Sequence, residues 1–166
     1  FMGIASHSAK DPAWDLQVML AAGHLIDWIT LHLYGHSIHG GDDDDRLAGN
    51  DGNDVLIGNK GNDLLLGGRG NDTMRGAEGN DRIYAGEGDN RLLGGTGANL
   101  LEGRGGNDVL FGAAGADRFV FRAGEAFDTI LDFATGIDRL ELRGFGFASA
   151  AAARAAFVDT ADGLEL

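Results

Sequence analysis

A nine-residue repeat is the feature that most constrains the fold of this chain. From Gly40 to Val120 the sequence divides without a gap into nine units, which read GGDDDDRLA, GNDGNDVLI, GNKGNDLLL, GGRGNDTMR, GAEGNDRIY, AGEGDNRLL, GGTGANLLE, GRGGNDVLF and GAAGADRFV. The first position is Gly in every unit but one, the fourth is Gly in every unit but the first, and the sixth is Asp in seven. The eighth position is always apolar: Leu47, Leu56, Leu65, Met74, Ile83, Leu92, Leu101, Leu110 and Phe119. A fixed short period is typical of a solenoid, in which each unit adds a turn and a short strand.

The residue types within a unit indicate where its turn and its strand lie. Positions one to six have turn chemistry, because Gly permits positive φ and Asn or Asp tolerates it. Positions seven to nine read as a three-residue strand, in which position eight points inward and positions seven and nine point outward. Two units would then complete one coil, and coils would stack about 4.8 Å apart. We therefore predict an all-β solenoid over residues 40–120.

The charge of the chain limits its partners. The 166 residues include 26 Asp and Glu against 13 Lys and Arg, a formal net charge of −13. Nucleic acids and anionic membrane surfaces are bound through Lys and Arg, so we expect neither as a partner, whereas cations are compatible with this charge. The sequence contains no Cys and no apolar stretch of the roughly 18 residues that a membrane span needs.

The acids at position six favour a bound metal ion. Two stacked carboxylates about 5 Å apart repel by about 1 kcal/mol in water and by about 3 kcal/mol at an effective dielectric constant of about 20. A hard cation between them reverses the sign of this interaction. Ca²⁺ accepts carboxylate and carbonyl oxygens in flexible geometry, Mg²⁺ demands a tighter octahedron, and Zn²⁺ prefers Cys or His, which the repeat lacks. We therefore predict Ca²⁺ as the cofactor, with its binding energy contributing to folding.

The units match the pattern G-G-x-G-x-D-x-U-x, so the chain resembles the RTX, or hemolysin-type, calcium-binding family. The resemblance implies a parallel β-roll in which each Ca²⁺ lies between same-side turns of units n and n+2. It implies that unit n supplies the carbonyls of positions two and four and its Asp, and unit n+2 the carbonyls of positions one and three and its Asp. It also implies a bacterial protein, type I secretion machinery as a partner, and extracellular localisation.

Carried over residue by residue, the resemblance implies metal ligands along two edges of the roll. One site would combine Gly41, Asp43 and Asp45 with Gly58, Lys60 and Asp63. The next site on that edge would combine Asn59, Gly61 and Asp63 with Gly76, Glu78 and Asp81, and the edge would continue through Ala77 and Gly79. The opposite edge would combine Asn50, Gly52 and Asp54 with Gly67, Arg69 and Asp72, and would continue through Gly68 and Gly70.

Two units carry Asn instead of Asp at position six. An amide oxygen can coordinate a cation but brings no charge, so sites containing Asn90 or Asn99 are predicted to be weaker, and some to be empty. These sites pair Asp72 with Asn90, Asp81 with Asn99, Asn90 with Asp108, and Asn99 with Asp117. Across the whole roll we expect about four to seven calcium ions.

Residues 121–147 follow the repeats and resemble the capping segment of serralysin-type proteases, in the pattern DTI-x-DF…G-x-D-x-L-x-L. The residues themselves predict short strands at FVF, DTILDF and DRLELRGF around an ATGID turn. Aromatic residues at positions 119, 121, 127, 133, 145 and 147 are expected to close the end of the core. Asp128 is either the ligand of a last ion or a turn-capping residue. Residues 148–157 favour a helix, and the last residues favour another strand.

The segment before the repeats predicts a cap of its own. Residues 13–26 favour a helix, residues 28–34 a strand, and residues 35–39 a degenerate turn and strand that lead into the roll. The chain would then consist of an N-terminal helix and strand cap (1–39), the roll (40–120) and a truncated C-terminal β cap (121–166). Because it starts with Phe1, we expect an excised fragment or a processed product.

The sequence offers no catalytic motif, because HExxH, GxSxG and GxxxxGK are all absent. Strand alternation accounts for His32, His36 and His39 without a metal. Three functions stay open: a non-catalytic calcium-binding module of a secreted protein that folds on extracellular Ca²⁺; the C-terminal part of a secreted metalloprotease or polysaccharide-modifying enzyme, with any catalytic domain outside this chain; and an adhesive surface module. The adhesive function would be favoured by a regular outward face, but positions seven and nine are mixed along the sequence.

Overall fold

Consecutive units of the repeat alternate between two parallel sheets. The computed structural model describes residues 29–30, 37–149, 151–152, 158–160 and 163–165. Sheet A contains, in spatial order, β1 (Ile29–Thr30), β3 (Arg46–Asp51), β5 (Leu64–Arg69), β7 (Arg82–Glu87), β9 (Leu100–Gly105), β11 (Arg118–Arg122) and β13 (Arg139–Arg143). Sheet B contains β2 (Ser37–His39), β4 (Val55–Lys60), β6 (Thr73–Glu78), β8 (Arg91–Thr96), β10 (Val109–Ala114) and β12 (Thr129–Ile130). The all-β fold and the parallel β-roll are therefore confirmed.

The core is built from the position-eight side chains, as predicted. Within sheet A, Leu47 pairs in register with Leu65, and Leu65 with Ile83. Within sheet B, Leu56 pairs in the same way with Met74. All nine position-eight side chains are fully buried. Each contributes about 1.5–3 kcal/mol to folding through the apolar surface that it removes from water.

The strands are longer than the three residues predicted for them. β4 runs from position seven, Val55, to position three of the next unit, Lys60. Strand pairing continues through position two, where Asn59 pairs with Ala77 although its φ is 82°. Backbone N–H and C=O groups need partners when water is excluded, and the unit 18 residues away supplies them along this whole segment. The turn proper is thus confined to positions four to six.

The segment after the repeats completes the end of the roll. β11 and β13 pair in parallel over five residues each, and β12 joins the edge of sheet B. Phe133 packs against Phe119 with 6.0 Å between ring centroids, and Phe121 is half-buried against the core. The expectation for Phe127 is wrong, because its side chain is 86% exposed. Its backbone N–H donates to Asn107 Oδ1 at 3.2 Å, which fixes Phe127 at a turn edge instead of over the core.

A buried acid joins this cap to the roll. Glu102 occupies position nine, which was predicted to face solvent, yet its side chain is 1% exposed. Arg104 Nε and Arg122 Nε donate to its Oε1 at 3.0 and 2.9 Å, and Arg143 Nη1 lies 3.9 Å from its Oε2. Burial acts to raise the pKa of Glu102, but the hydrogen bonds from Arg122 and Arg104 outweigh it and hold the pKa below its ordinary value. The network links β9, β11 and β13.

Several predicted elements lie partly or wholly outside the described residues. The helix over residues 13–26 lies outside them, and only residues 29–30 of the strand over 28–34 are described. At the other end, residues 151–152 are helical, and β14 (Val158–Thr160) pairs in antiparallel fashion with β15 (Gly163–Glu165). Among the described residues, no helix is long and apolar enough to cross a membrane.

Candidate calcium sites

The position-six side chains form a hydrogen-bonded ladder along each edge of the roll. The backbone N–H of Asp63 donates to Oδ1 of Asp81 at 2.8 Å, across 18 residues of sequence. The same bond recurs from Asp45 to Asp63, Asp54 to Asp72, Asp72 to Asn90, Asp81 to Asn99, Asn90 to Asp108, and Asn99 to Asp117. Each position-six side chain after the first unit of its edge therefore holds the preceding same-side turn in place.

In five of these carboxylates the other oxygen is buried without a hydrogen-bond donor in the described part of the chain. The side chains are almost inaccessible to water, with exposures of 1% at Asp63, Asp72 and Asp81. Among the described residues, no hydrogen-bond partner reaches Oδ2 of Asp63, Asp72, Asp81, Asp108 and Asp117. Burial of an unpaired charged oxygen is costly. A repeated column of such oxygens has the chemistry of a cation site.

The Gly at position one creates the space into which these oxygens project. A Cβ on Gly49 would lie 2.5 Å from Oδ2 of Asp54 and 2.7 Å from the carbonyl oxygen of Gly67. A Cβ on Gly58 would likewise collide with Oδ2 of Asp63 and lie 2.8 Å from the carbonyl oxygen of Gly76. The carboxylate of unit n and the position-one carbonyl of unit n+2 therefore converge on the same small region.

The carbonyls of positions two, three and four lie in the gap between same-side turns. The position-four carbonyl of Gly52 lies against the α-carbon of Gly70, where a Cβ would collide with it. The position-two carbonyl of Asn50 lies against Gly68 in the same way. From the other side, the position-three carbonyl of Arg69 accepts a hydrogen bond from the N–H of Gly52 at 2.8 Å. The opposite-edge residues that the resemblance implies as ligands are thus brought together.

The first edge has the same arrangement with one difference at its start. The carbonyl of Glu78 accepts from the N–H of Gly61 at 3.0 Å, and the carbonyl of Gly61 lies against Gly79. The N–H of Lys60 donates to the carbonyl of Gly41 at 3.1 Å, and the carbonyl of Asp43 lies against Gly61. However, Oδ2 of Asp45 accepts a 2.6 Å hydrogen bond from the N–H of Gly41, so this oxygen already has a partner.

Burial changes the acidity of the ladder carboxylates. Burial, reinforced by repulsion from Asp81 and Asp45, raises the pKa of Asp63 to about 7, although the hydrogen bond from the Asp45 N–H opposes the shift. Burial similarly raises the pKa of Asp72 to about 6. The pKa values of three further ladder carboxylates are also raised by burial: Asp81, Asp108 and Asp117. A cation that binds here must therefore compete with protons near neutral pH.

The two Asn positions differ in how they use the amide group. Nδ2 of Asn90 donates a 2.8 Å hydrogen bond to the carbonyl of Gly88, which is the position-four carbonyl of its own unit. Nδ2 of Asn99 is buried with no partner among the residues that the structure describes. At Asn90 the amide group thus occupies a carbonyl that the resemblance implies as a metal ligand.

A second ladder at position five was missed by the sequence analysis. The N–H of Asn71 donates to Oδ1 of Asn53 at 2.8 Å, and the N–H of Asp89 donates to Oδ1 of Asn71 at 2.9 Å. On the other edge, the N–H of Ala98 donates to Oδ1 of Asn80 at 2.7 Å. Seven of the nine units carry Asn or Asp at this position, which was the available signal. However, Asn and Asp at this position are also typical of ordinary turns.

The position-six ladder continues beyond the repeats at irregular spacing. The N–H of Asp108 donates to Oδ1 of Asp128, and the N–H of Asp117 donates to Oδ1 of Asp138, both at 2.9 Å. Oδ2 of Asp128 has no partner within the described part of the chain, and burial raises its pKa. Oδ2 of Asp138 accepts from the N–H of Ala134 at 2.8 Å. Asp138 was missed because it follows its ladder neighbour by 21 residues instead of 18.

Side chains alone do not form a metal cluster in the described ranges, where no three His, Cys, Asp or Glu residues converge. A site along either edge must therefore combine paired carboxylates with backbone carbonyls, a donor set that suits Ca²⁺. Nε2 of His39 lies 2.9 Å from Oγ of Ser37, whereas His32 and His36 lie outside the described residues.

Comparison with known families agrees with this geometry. The family model of the RTX calcium-binding nonapeptide repeat matches four overlapping stretches, residues 39–74, 66–101, 84–119 and 93–130. Together these stretches cover residues 39–130, which is more than half of the chain. No curated protein matches the sequence.

Proposed function

Because the chain belongs to the RTX calcium-binding nonapeptide repeat family, we propose that Ca²⁺ bound along the two Asp ladders drives the folding of this roll outside the cell. RTX repeats bind Ca²⁺, and the repeat domain is a structural module instead of a catalytic one. The observation that carries the proposal is the column of buried Oδ2 atoms that have no donor among the described residues. A cation supplies the missing partner for each of them and removes the repulsion between stacked carboxylates.

Each site would use oxygens from two same-side turns. Unit n would supply the carbonyls of positions two and four with its position-six carboxylate, and unit n+2 the carbonyls of positions one and three with its own carboxylate. The strongest sites would contain two carboxylates, in the pairs Asp63 with Asp81 and Asp54 with Asp72. The pair of Asp45 with Asp63 would be weaker, because the N–H of Gly41 already binds Oδ2 of Asp45. Sites that contain Asn90 or Asn99 would be weaker, because an amide brings no charge and Asn90 already binds the Gly88 carbonyl.

The end of the ladder beyond the repeats would bind a further ion. Asp128 has the same relation to Asp108 that one repeat Asp has to the next, including a buried Oδ2 without a donor in the described residues. Of the two roles left open for Asp128, this arrangement supports that of a metal ligand. Asp138 is less suited, because the N–H of Ala134 already occupies its second oxygen.

Calcium-dependent folding would couple the module to export. Proteins with RTX repeats are typically secreted by type I systems. In a cytosol that is poor in Ca²⁺, the net charge of −13 and the unpaired carboxylates would keep the chain loose enough to be exported. Extracellular Ca²⁺ would then fold it, because binding free energy becomes folding free energy when the site exists only in the folded state.

Far-UV circular dichroism of the full chain tests this function directly. The chain is titrated with CaCl₂ after treatment with EDTA, and a parallel titration uses MgCl₂. We expect a cooperative gain of β signal with Ca²⁺ and none with Mg²⁺ at the same concentration. A chain that is fully folded in EDTA, with a thermal midpoint that Ca²⁺ leaves unchanged, would contradict calcium-driven folding.

A further inference from the structure

Positive charge is concentrated on the strands of sheet A, although the chain as a whole is acidic. Of the 13 Lys and Arg residues, eight are arginines in sheet A strands, where only four acids accompany them. The strands of sheet B carry three cations and one acid. The acidic residues lie mostly in the turns, so the outer face of sheet A is a basic surface between two acidic edges.

The position-seven residues of sheet A form a regular column. Strand register places them side by side in the order Arg46, Leu64, Arg82, Leu100, Arg118 and Arg139. The first five alternate strictly between Arg and Leu. Because neighbouring strands are about 4.8 Å apart, successive arginines in this part recur about every 9.6 Å. Positions that look mixed along the sequence are thus regular on one face, since alternate units belong to the other sheet.

A groove runs beside this column. It encloses about 820 Å³ and is lined by Leu64, Leu66 and Tyr84, with Arg46, Arg69 and Arg104 among its polar residues. Two acids also line it, Asp51 and Glu87, and each lies within 4 Å of the Arg69 side chain. The groove therefore offers an aromatic ring, apolar surface, guanidinium groups and hydrogen-bond acceptors in one continuous strip.

The matching column on sheet B lacks this pattern. Its position-seven residues are Ser37, Val55, Thr73, Arg91, Val109 and Thr129, which include a single Arg. The groove on that side is lined by Ile57, Leu93 and Phe111, with the charges of Lys60 and Arg75 opposed by Asp42 and Glu78. Both faces are built from the same repeat, so the arginine column is not a requirement of the fold.

We propose that the outer face of sheet A binds a linear acidic polysaccharide. Carboxylates of alternate sugars would lie against Arg46, Arg82 and Arg118, since every second uronate of an extended two-fold polymer faces the same side. The apolar faces of the intervening sugars would pack on Leu64 and Leu100, beside the Tyr84 ring, which lies 5.6 Å from the Arg104 guanidinium carbon. Guanidinium groups recognise carboxylates in planar, bidentate geometry, which favours Arg over Lys at such positions.

Charge spacing favours a sugar acid over a nucleic acid as the ligand. Double-stranded DNA carries one negative charge per about 1.7 Å of its axis. One column arginine per about 9.6 Å is far too sparse to neutralise that density, and the acidic edges of the roll would repel the phosphates. A polyuronate presents one carboxylate per sugar, of which half would face this surface. Calcium bound along the edges would add two positive charges per ion and so reduce the repulsion of the ligand.

The test measures binding of a galacturonate hexamer to the full chain by isothermal titration calorimetry at fixed free Ca²⁺. Binding at this face requires the folded roll and thus rests on the proposed function, so circular dichroism of each sample reports folding separately. We expect the hexamer to bind, the uncharged cellohexaose not to bind, and added NaCl to weaken the interaction. Arg82, which has no ion pair among the described residues, should be a more sensitive position than Arg118, whose Nη1 lies 3.8 Å from Oε2 of Glu141.

Two charge reversals at position seven provide the matched comparison. Arg82→Glu on sheet A should weaken hexamer binding about tenfold or more, which corresponds to about 1.4 kcal/mol. Arg91→Glu makes the same charge change at an exposed position of sheet B and should leave the affinity within about twofold. A folded chain that does not bind the hexamer, equal losses in the two variants, or tighter binding of a short DNA duplex than of the hexamer would each overturn the proposal.

Discussion

The backbone N–H of Asp63 donates a 2.8 Å hydrogen bond to Oδ1 of Asp81, while Oδ2 of Asp81 is buried and has no partner among the described residues. One carboxylate oxygen therefore holds two same-side turns together, and the other is the oxygen that we propose as a ligand of Ca²⁺. The two contributions can be separated by substitutions that keep the first oxygen and remove the charge.

Asp63→Asn should raise the Ca²⁺ concentration needed for folding. The variant retains an oxygen that can accept from the Asp45 N–H, but it removes the negative charge from two adjoining candidate sites. Without Ca²⁺ the variant should be at least as stable as the parent chain, because a buried carboxylate is no longer desolvated. Ca²⁺ titrations followed by circular dichroism give the folding midpoints.

Asp51→Asn is the matched control for this variant. Asp51 is exposed at position three of its unit, and its substitution by Asn removes the same single negative charge. Its folding midpoint should stay close to that of the parent chain. Equal shifts in Asp51→Asn and Asp63→Asn would mean that net charge, instead of the ladder, determines the response to Ca²⁺.

Without metal, the roll should become more stable as the pH is lowered from about 7 towards 4. The folded-state pKa of Asp63 is raised from 3.8 to about 7 and that of Asp72 to about 6, so the folded chain binds more protons than the unfolded chain. Such groups stabilise the folded state fully below their unfolded pKa, and this contribution is lost as the pH rises through the folded pKa. Urea denaturation in EDTA at a series of pH values measures the effect.

Ca²⁺ should reverse the dependence of stability on pH. Protons and Ca²⁺ compete for the same oxygens, so Ca²⁺ affinity should fall as the pH drops below about 7. If the stability of the metal-free chain instead falls as the pH is lowered from about 7 to about 5, the ladder carboxylates are not the dominant titrating groups.

Gly58→Ala should destabilise the roll and weaken Ca²⁺ binding together. The added Cβ would collide with Oδ2 of Asp63 and lie 2.8 Å from the Gly76 carbonyl oxygen, so the backbone or the carboxylate must shift. We expect a loss of about 1–3 kcal/mol, typical of an overpacked site. Gly105→Ala is the control, because its nearest neighbour would be 3.8 Å away. Similar losses in both variants would mean that strand flexibility, not the crowded oxygens, is responsible.

Ala98→Asn should stabilise the roll by extending the position-five ladder. The N–H of Ala98 already donates to Asn80 Oδ1, but Ala98 has no side-chain oxygen to offer the next same-side unit. A new hydrogen bond to the N–H of Ala116 should add up to about 1 kcal/mol, in EDTA or in Ca²⁺ alike. Conversely, Asn71→Ala should remove a bond to Asp89 and cost a similar amount. Thermal midpoints that do not move in either variant would show that these exposed bonds merely replace bonds to water.

Glu102→Ala should loosen the C-terminal cap whether or not Ca²⁺ is present. It leaves Arg104, Arg122 and Arg143 without their shared acceptor, and we expect a loss of about 1–3 kcal/mol, less than for a fully buried pair because the arginines are half-exposed. The lowered pKa of Glu102 means that its contribution is present above about 4.5 and is lost as the pH falls through the folded-state value. Urea denaturation at neutral and acidic pH checks both points, with the exposed Glu78→Ala on sheet B as control. Equal effects of the two substitutions would contradict the role of the buried network.

The sequence predicts the elements that depend on local periodicity. Leu47, Leu65 and Ile83 are buried because position eight is apolar in every unit, and Asp63 lies beside Asp81 because a coil consumes two units. What the sequence does not reveal depends on contacts between units. Asn71 bonds to a unit 18 residues away, a partner that is identified only when the coils are stacked. Glu102 is buried because three arginines from separate strands cover it.

Because consecutive units alternate between two sheets, adding or removing an even number of units has a different effect from adding or removing an odd number. Removal of 18 residues would shorten the roll by one coil and leave each remaining unit on its own side. Removal of nine residues, such as 76–84, would transfer every later unit to the opposite side, so that Arg118 would leave the face of Arg46 and Arg91 would join it. A pattern of surface residues that spans several coils is therefore kept only when units are inserted or deleted in pairs.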